Sequence, residues 1–132
     1  MQNQINHPSF TAGLNSKGIV SIYYKAQSTS LKEDLKASYQ AYLKLGKGSP
    51  LKVLYEIGPR AYFDMEAKNC LNNRAIIPVA EAIVSDSLAI RLVVDEYLRD
   101  RKDGSTTIRL FREKEAALAW LNTIEKKSRL IL

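Results

Sequence analysis

Four short runs rich in β-branched and aromatic residues alternate along this chain with four stretches of helical character. That alternation limits the fold more than any other feature. The runs are Ile19-Val20-Ser21-Ile22-Tyr23-Tyr24, Leu51-Lys52-Val53-Leu54-Tyr55-Glu56-Ile57, Val79-Ala80-Glu81-Ala82-Ile83-Val84 and Thr106-Thr107-Ile108-Arg109-Leu110-Phe111. Each reads as a β-strand. Strands separated by helices pair in parallel, because a parallel pair needs a long crossover and the crossover helix then covers the sheet. The 132 residues make one domain, long enough to bury roughly two-thirds of the surface exposed when unfolded.

Local signals bound the helices. Ser30-Leu31-Lys32-Glu33 has the form of a capping box, and Leu31, Leu35, Tyr39, Tyr42 and Leu43 follow at helical spacing. Gly46-Lys47-Gly48-Ser49-Pro50 ends that helix. A second helix is expected over 64–72 with Asp64 as its N-cap, and Gly58-Pro59 breaks the strand before it. Ser85-Asp86-Ser87 opens a third, whose apolar residues Leu88, Ala89, Ile90, Leu92, Val93, Val94, Tyr97 and Leu98 spread around much of its circumference. A face so wide is either deeply buried or shared with a partner. The last helix is expected over 113–126, with Glu113 and Glu115 in its first turn and Lys126 and Lys127 in its last, as the helix dipole favours. Residues 1–16 are polar and read as a loose tail, with 10–14 as a candidate edge strand; 17–132 form the domain.

Composition removes several function classes. A single cysteine, Cys70, excludes an internal disulfide and a Cys-rich zinc site, and a single histidine, His7, lies in the expected tail. A Ser-His-Asp arrangement is thereby unexpected. Neither glycine-rich phosphate-loop pattern is present, so no nucleotide cofactor is expected, nor any other cofactor. Lys and Arg number 20 against 14 Asp and Glu, a net charge of +6. The bases are dispersed, and the densest run, Arg99-Asp100-Arg101-Lys102-Asp103, carries acids of its own. Specific nucleic-acid binding is therefore not expected. No apolar run reaches the ~20 residues of a membrane span, and no signal-peptide pattern opens the chain. The expected address is the cytoplasm.

Function in a parallel sheet gathers beyond the carboxyl ends of the strands. The segments there include 58–64 and 85–87. Ser85, Asp86 and Ser87, with Arg91 one turn on, are candidates to contact an anion or ligand at a helix N-terminus; equally, Asp86 or Ser87 is an ordinary helix cap. Arg60, Tyr62 and Phe63 could line a pocket or a contact surface. Most of the other tyrosines fall at core periodicity and read as packing. Cys70, between apolar neighbours and far from any histidine, reads as buried and structural.

The strand 18–22, the helix after Ser30 with Glu33-Asp34, the strand 53–57, Ser87-Leu88-Ala89-Ile90-Arg91, and Ile108-Arg109-Leu110-Phe111 followed by Ala117-Leu118-Ala119-Trp120-Leu121 resemble, in order and spacing, the STAS family (sulfate transporter and anti-sigma factor antagonist). The match is to its small stand-alone SpoIIAA-like bacterial members and covers about residues 17–126. The resemblance implies an α/β fold with a four- or five-stranded, mixed, mostly parallel sheet and four helices packed mainly on one face. It also implies a non-enzymatic regulatory role, exercised by docking onto a protein partner. In the antagonists the second helix opens with a phosphorylatable serine in an Asp-Ser-Ser-Gly-like run. This chain has Asp64-Met65-Glu66-Ala67 instead, so the phosphorylation switch does not carry over. Asp64 and Glu66 either mimic a charged state or are acids that a helix start ordinarily favours.

The leading expectation is thus a protein-interaction module whose partner surface comprises Arg60, Tyr62, Phe63, Asp64 and Glu66. The alternative is a small-ligand or lipid carrier, like the SEC14-like relatives of the fold, with its cavity beneath the third helix. An enzyme using Asp64, Glu66 or Asp86 as a base has no paired nucleophile to support it. A homodimer would hide the apolar breadth of the third helix.

Overall fold

The fold is seen in a computed structural model that describes residues 4–27, 29–63, 76, 78–100 and 107–124. Its centre is a six-stranded sheet in the order β1-β2-β3-β5-β7-β8. The strands are β1 (Gln4–Asn6), β2 (Phe10–Leu14), β3 (Ile19–Tyr24), β5 (Lys52–Ile57), β7 (Ala80–Val84) and β8 (Thr107–Phe111). β3, β5, β7 and β8 are mutually parallel, whereas β1-β2 and β2-β3 are antiparallel. Two further short strands, β4 (Thr29–Ser30) and β6 (Tyr62–Phe63), pair in parallel beyond the carboxyl ends of β3 and β5. The helices are α1 (Lys32–Gly46), α2 (Leu88–Asp100) and α3 (Lys114–Thr123). The α/β class and the parallel pairing of these four strands are as expected from the alternation, and the sheet is mixed, as the resemblance implied.

The N-terminal segment departs from expectation. Residues 4–6 and 10–14 form a hairpin within the sheet instead of a loose tail, and β2 is second from the edge, with β1 outside it. The sheet accordingly has six strands instead of four or five. The hairpin holds because Phe10 and Ala12 turn inward to the core while the intervening Thr11 faces the other side. His7 stacks on Phe10, with ring centroids 4.5 Å apart, and its Nδ1 accepts the Ser9 N–H at 3.1 Å, which closes the turn.

The helices do not share one face. The strand order β3-β5-β7-β8 always steps the same way, so right-handed crossovers put the connecting segments on one side. α1 lies on that side, packed over Phe10, Val20, Ile22, Tyr24 and Val53 through Leu35, Ala41, Tyr42 and Leu45. α3 follows the last strand, is free of the crossover constraint, and covers the opposite face: Ala117 and Leu121 sit on Ile19, Leu54, Ala80, Ala82 and Val84. The alanines of β7 let α3 lie close. With a helix layer on each side, central strands bury both faces, which is why their sequences read as near-continuous apolar runs. The expected second helix over 64–72 lies outside the described residues.

Two helix boundaries are also corrected. Ser30 does not cap α1, because its backbone is committed to pairing with Phe63. The N-cap is Leu31, whose N–H donates to Asp34 Oδ2 at 2.8 Å. Leucine offers no acceptor in return, so only half of a capping box forms. α3 ends at Thr123, where Ile124 turns extended (φ −84°, ψ 121°); Lys126 and Lys127 lie outside the described residues.

Candidate functional site

The carboxyl ends of the parallel strands are closed by backbone. Tyr24 pairs with Ile57, and five residues further on Thr29 pairs with Tyr62, so the two loops between are of equal length and run in step. Gly58 N–H donates to the Tyr24 carbonyl and Gln27 N–H to the Pro59 carbonyl, both at 2.8 Å. A Cβ on Gly58 would stand 2.7 Å from Ala26 N and from Tyr24 O, so only glycine lets the strands approach this closely. On the next strand pair, Ser85 N–H reaches the Phe111 carbonyl at 3.0 Å.

Ser85, Asp86 and Ser87 resolve into separate tasks. Ser87 is the N-cap of α2: its Oγ accepts the Ile90 N–H at 3.3 Å, and its carbonyl accepts the Arg91 N–H at 3.0 Å. Ser85 is buried, and its Oγ accepts the Ser87 N–H at 3.1 Å. Both hydroxyls are thus engaged in building the helix start. Asp86 is exposed and Arg91 is half-buried.

Of the expected partner-binding residues, Arg60 and Tyr62 are exposed, and Arg60 is held in a left-handed backbone conformation at φ 61°. Phe63 contributes its backbone to β6. Asp64 and Glu66 lie outside the described residues, as does Cys70. Among the described residues four large apolar side chains are exposed: Tyr62 (51%), Leu88 (70%), Leu92 (58%) and Leu31 (46%). Each follows the carboxyl end of a parallel strand: Leu31 comes after β3 and β4, Tyr62 after β5, and Leu88 and Leu92 after β7. Leu88 and Leu92 are one turn apart on α2, so they share a face. The wide apolar circumference of that helix is therefore partly inward, through buried Ile90, and partly open to solvent.

One carboxylate escaped the sequence reading. Glu81, in the middle of β7, is only 3% exposed, and its Oε1 accepts the Tyr55 hydroxyl at 3.0 Å. Tyr55 stacks on Tyr24 (ring centroids 6.5 Å apart), whose hydroxyl is 2.9 Å from Ser38 Oγ on α1. A polar chain thus crosses the sheet face under α1. The available signal was a lone acid inside a strand apolar on both faces. Among the described residues no three of His, Cys, Asp and Glu converge where a metal could sit, and no helix is long and apolar enough to cross a membrane.

No curated protein and no solved structure matches the chain. The model of a domain family of unknown function, DUF7793, matches residues 14–125, from the last residue of β2 past the end of α3. That span takes in the parallel strands, the three helices of the described residues and both closed loops, and by it the chain belongs to this family.

Proposed function

We infer that this protein is a non-enzymatic docking module of STAS-like architecture that engages a protein partner through the carboxyl end of its sheet. The observation that carries the reading is the gathering of Leu31, Tyr62, Leu88 and Leu92, all exposed, on the segments that follow β3, β5 and β7. Isolated exposed leucines are commonplace, but several large ones sharing one end of a small domain favour an interaction surface. Tyr62 and Arg60 are of the types that dominate binding energy when buried at an interface. The hydroxyls that would otherwise suit an anion site, Ser85 and Ser87, are used in capping α2, which favours docking over ligand chemistry at that turn. Arg60 and Tyr62, expected from the sequence as partner contacts, lie at that same end of the sheet.

The test compares affinity-purified full-length protein with a Leu88→Asp, Leu92→Asp variant from the native cell, each examined by native mass spectrometry. A protein captured in stoichiometric amount by the parent and lost by the variant, at unchanged melting temperature, supports the reading. Equal capture by both overturns it, as does a bound lipid or small molecule with no protein partner.

A further inference from the structure

The last strand leaves one edge of the sheet open. Among the described residues β8 has β7 as its one sheet neighbour, whereas the edge at the other end of the strand order is the short β1. The Phe111 carbonyl accepts the Ser85 N–H, so Phe111 turns its backbone toward β7. Backbone direction alternates along a strand, so Arg109 turns the same way, and Ile108 and Leu110 turn their N–H and C=O groups outward. The register with β7 is unbroken from Thr107 to Phe111, and β8 contains neither proline nor lysine. Bulges, prolines and lysines commonly guard an open edge, and here its one charge is Arg109.

Arg109 is laid over two rings. Its Cζ lies 5.5 Å from the Trp120 ring centroid and 5.6 Å from that of Phe111, and the two rings are themselves 5.6 Å apart. Its partner in β7, Ala82, is covered by α3, so Arg109 stands on the α3 face, at the outer flank beside Trp120. Stacking engages the face of a guanidinium and leaves the N–H fork at its rim unused. Arg109 is exposed, and among the described residues it forms no hydrogen bond and no ion pair. The acids of this face are placed elsewhere. Glu56 is paired with Lys114 at 3.8 Å. Glu115 stands about 140° round α3 from Trp120. Glu113 is exposed beyond the end of β8, at the N-cap of α3. The right-handed crossover from β7 to β8 puts α2, with its acids, on the opposite face.

We propose that β8 is a strand-addition site for an extended polypeptide segment that sets an aspartate or glutamate beside Arg109. In such an addition main-chain hydrogen bonds supply the affinity and alternate side chains the specificity. The occupant is polypeptide because another main chain matches the outward N–H and C=O groups of Ile108 and Leu110. It is acidic because a guanidinium with its fork unused takes a carboxylate in bidentate geometry. A second copy of this chain is the poorer occupant. The antiparallel register that joins Ile108 of each copy to Leu110 of the other sets the two Arg109 side chains against each other, and like charges directly opposite are destabilising. The site is separate from the carboxyl-end surface and does not depend on it.

The test is amide NMR of the full-length protein titrated with a blocked Thr-Val-Glu-Val-Thr peptide and with its counterpart carrying lysine for glutamate. The expected result is binding of the glutamate peptide about threefold or more tighter than the lysine peptide, with the largest shifts at the Ile108 and Leu110 amides. Arg109→Glu should reverse that preference, and Arg109→Gln, the variant to read if Arg109→Glu fails to fold, should abolish it. Lys36→Glu makes the same net charge change as Arg109→Glu at an exposed position on α1 and should leave the preference within about twofold of the parent. A glutamate peptide N-methylated at the glutamate and both valines keeps its charge but has lost the donors that either strand direction aims at β8, and it should not bind. Binding by the methylated peptide overturns the proposal, since charge alone would then account for it. So does an unchanged preference in the Arg109 variants, an equal loss of preference in Lys36→Glu, or the absence of binding at millimolar peptide. A dimer of the free protein whose contacts map to Ile108 and Leu110 overturns it in favour of a second copy.

Discussion

Gln27 and Arg60 take the same left-handed backbone conformation, φ 59° and 61°, at matching positions in two neighbouring loops. Each stands three residues beyond a paired residue, Tyr24 or Ile57, and two before the next pair, Thr29 with Tyr62. The shared conformation keeps the loops in step and lets Gln27 N–H meet the Pro59 carbonyl. A side chain held there costs about 1–2 kcal/mol, and a β-branched one costs the most. Arg60→Val is therefore expected to lower stability by about 1–2 kcal/mol. Arg60→Gly should stay within about 0.5 kcal/mol of the parent, because relief of strain and the greater entropy of unfolded glycine oppose each other. Urea unfolding of the two variants decides it. A neutral valine would mean that the loops are not held in register by this conformation.

Gly58 is a stricter position than either. Its φ is ordinary, so the constraint is contact: a Cβ would press on Ala26 N and Tyr24 O at 2.7 Å and on the Tyr23 hydroxyl at 2.9 Å. Two of these neighbours are backbone atoms within the paired loops and cannot swing aside. Gly58→Ala is expected to cost about 3 kcal/mol, the upper part of the range for overpacking. It should also disturb β4 and β6, read as faster amide exchange at Thr29 and Tyr62. Loss of stability without faster exchange there would place the strain elsewhere.

The parallel part of the sheet was legible because β3, β5, β7 and β8 are β-branched runs bounded by turn residues, and α1 because Leu35, Tyr39, Tyr42 and Leu43 repeat at helical spacing. The hairpin was not. Gln4-Ile5-Asn6 is too short and polar to register as a strand, and it pairs only because Phe10 and Ala12 anchor β2 in the core. The cap of α1 moved from Ser30 to Leu31 because a tertiary partner, Phe63, claimed the backbone that local propensity had assigned to the helix start. Ser87 as a cap was readable from residue type and position. Glu81 was not singled out, because strand periodicity alone does not say what stands opposite an acid; Tyr55 does, and its position is known only once β5 and β7 are paired.

Asp34 fastens the N-terminal hairpin to α1. One carboxylate oxygen accepts the Leu31 N–H at 2.8 Å and the other the Ser9 hydroxyl at 3.0 Å, twenty-five residues away in sequence. Ser9 also accepts the Lys25 N–H on its carbonyl at 3.0 Å, so the hairpin turn is tied to the end of β3 as well. Asp34→Ala removes a cap and a tertiary bond together and should cost about 1–2 kcal/mol. Ser9→Ala should cost about 0.5–1 kcal/mol. In a double-mutant cycle the two losses should fall short of additive by about 0.5 kcal/mol or more. Strict additivity would show that the Ser9 bond contributes nothing to holding the hairpin.

Glu81 and Tyr55 form a polar contact on the α1 side of the sheet, and the two partners respond differently to removal. Tyr55→Phe keeps the ring stacked toward Tyr24 but takes away a donor from a carboxylate that is 3% exposed. A buried acid short of a hydrogen bond costs about 1–3 kcal/mol. Glu81→Gln retains an acceptor for the Tyr55 hydroxyl and removes the buried charge, so it should be near neutral or stabilising by up to about 1 kcal/mol. Tyr55→Phe added to Glu81→Gln should then cost less than Tyr55→Phe added to the parent, because a neutral amide needs its donor less than a carboxylate does. Denaturant unfolding of the three variants gives the comparison. If Glu81→Gln is the more damaging single change, the charge itself is required in the core. A clearly stabilising Glu81→Gln would instead mark the acid as a group that the fold maintains at a cost in stability.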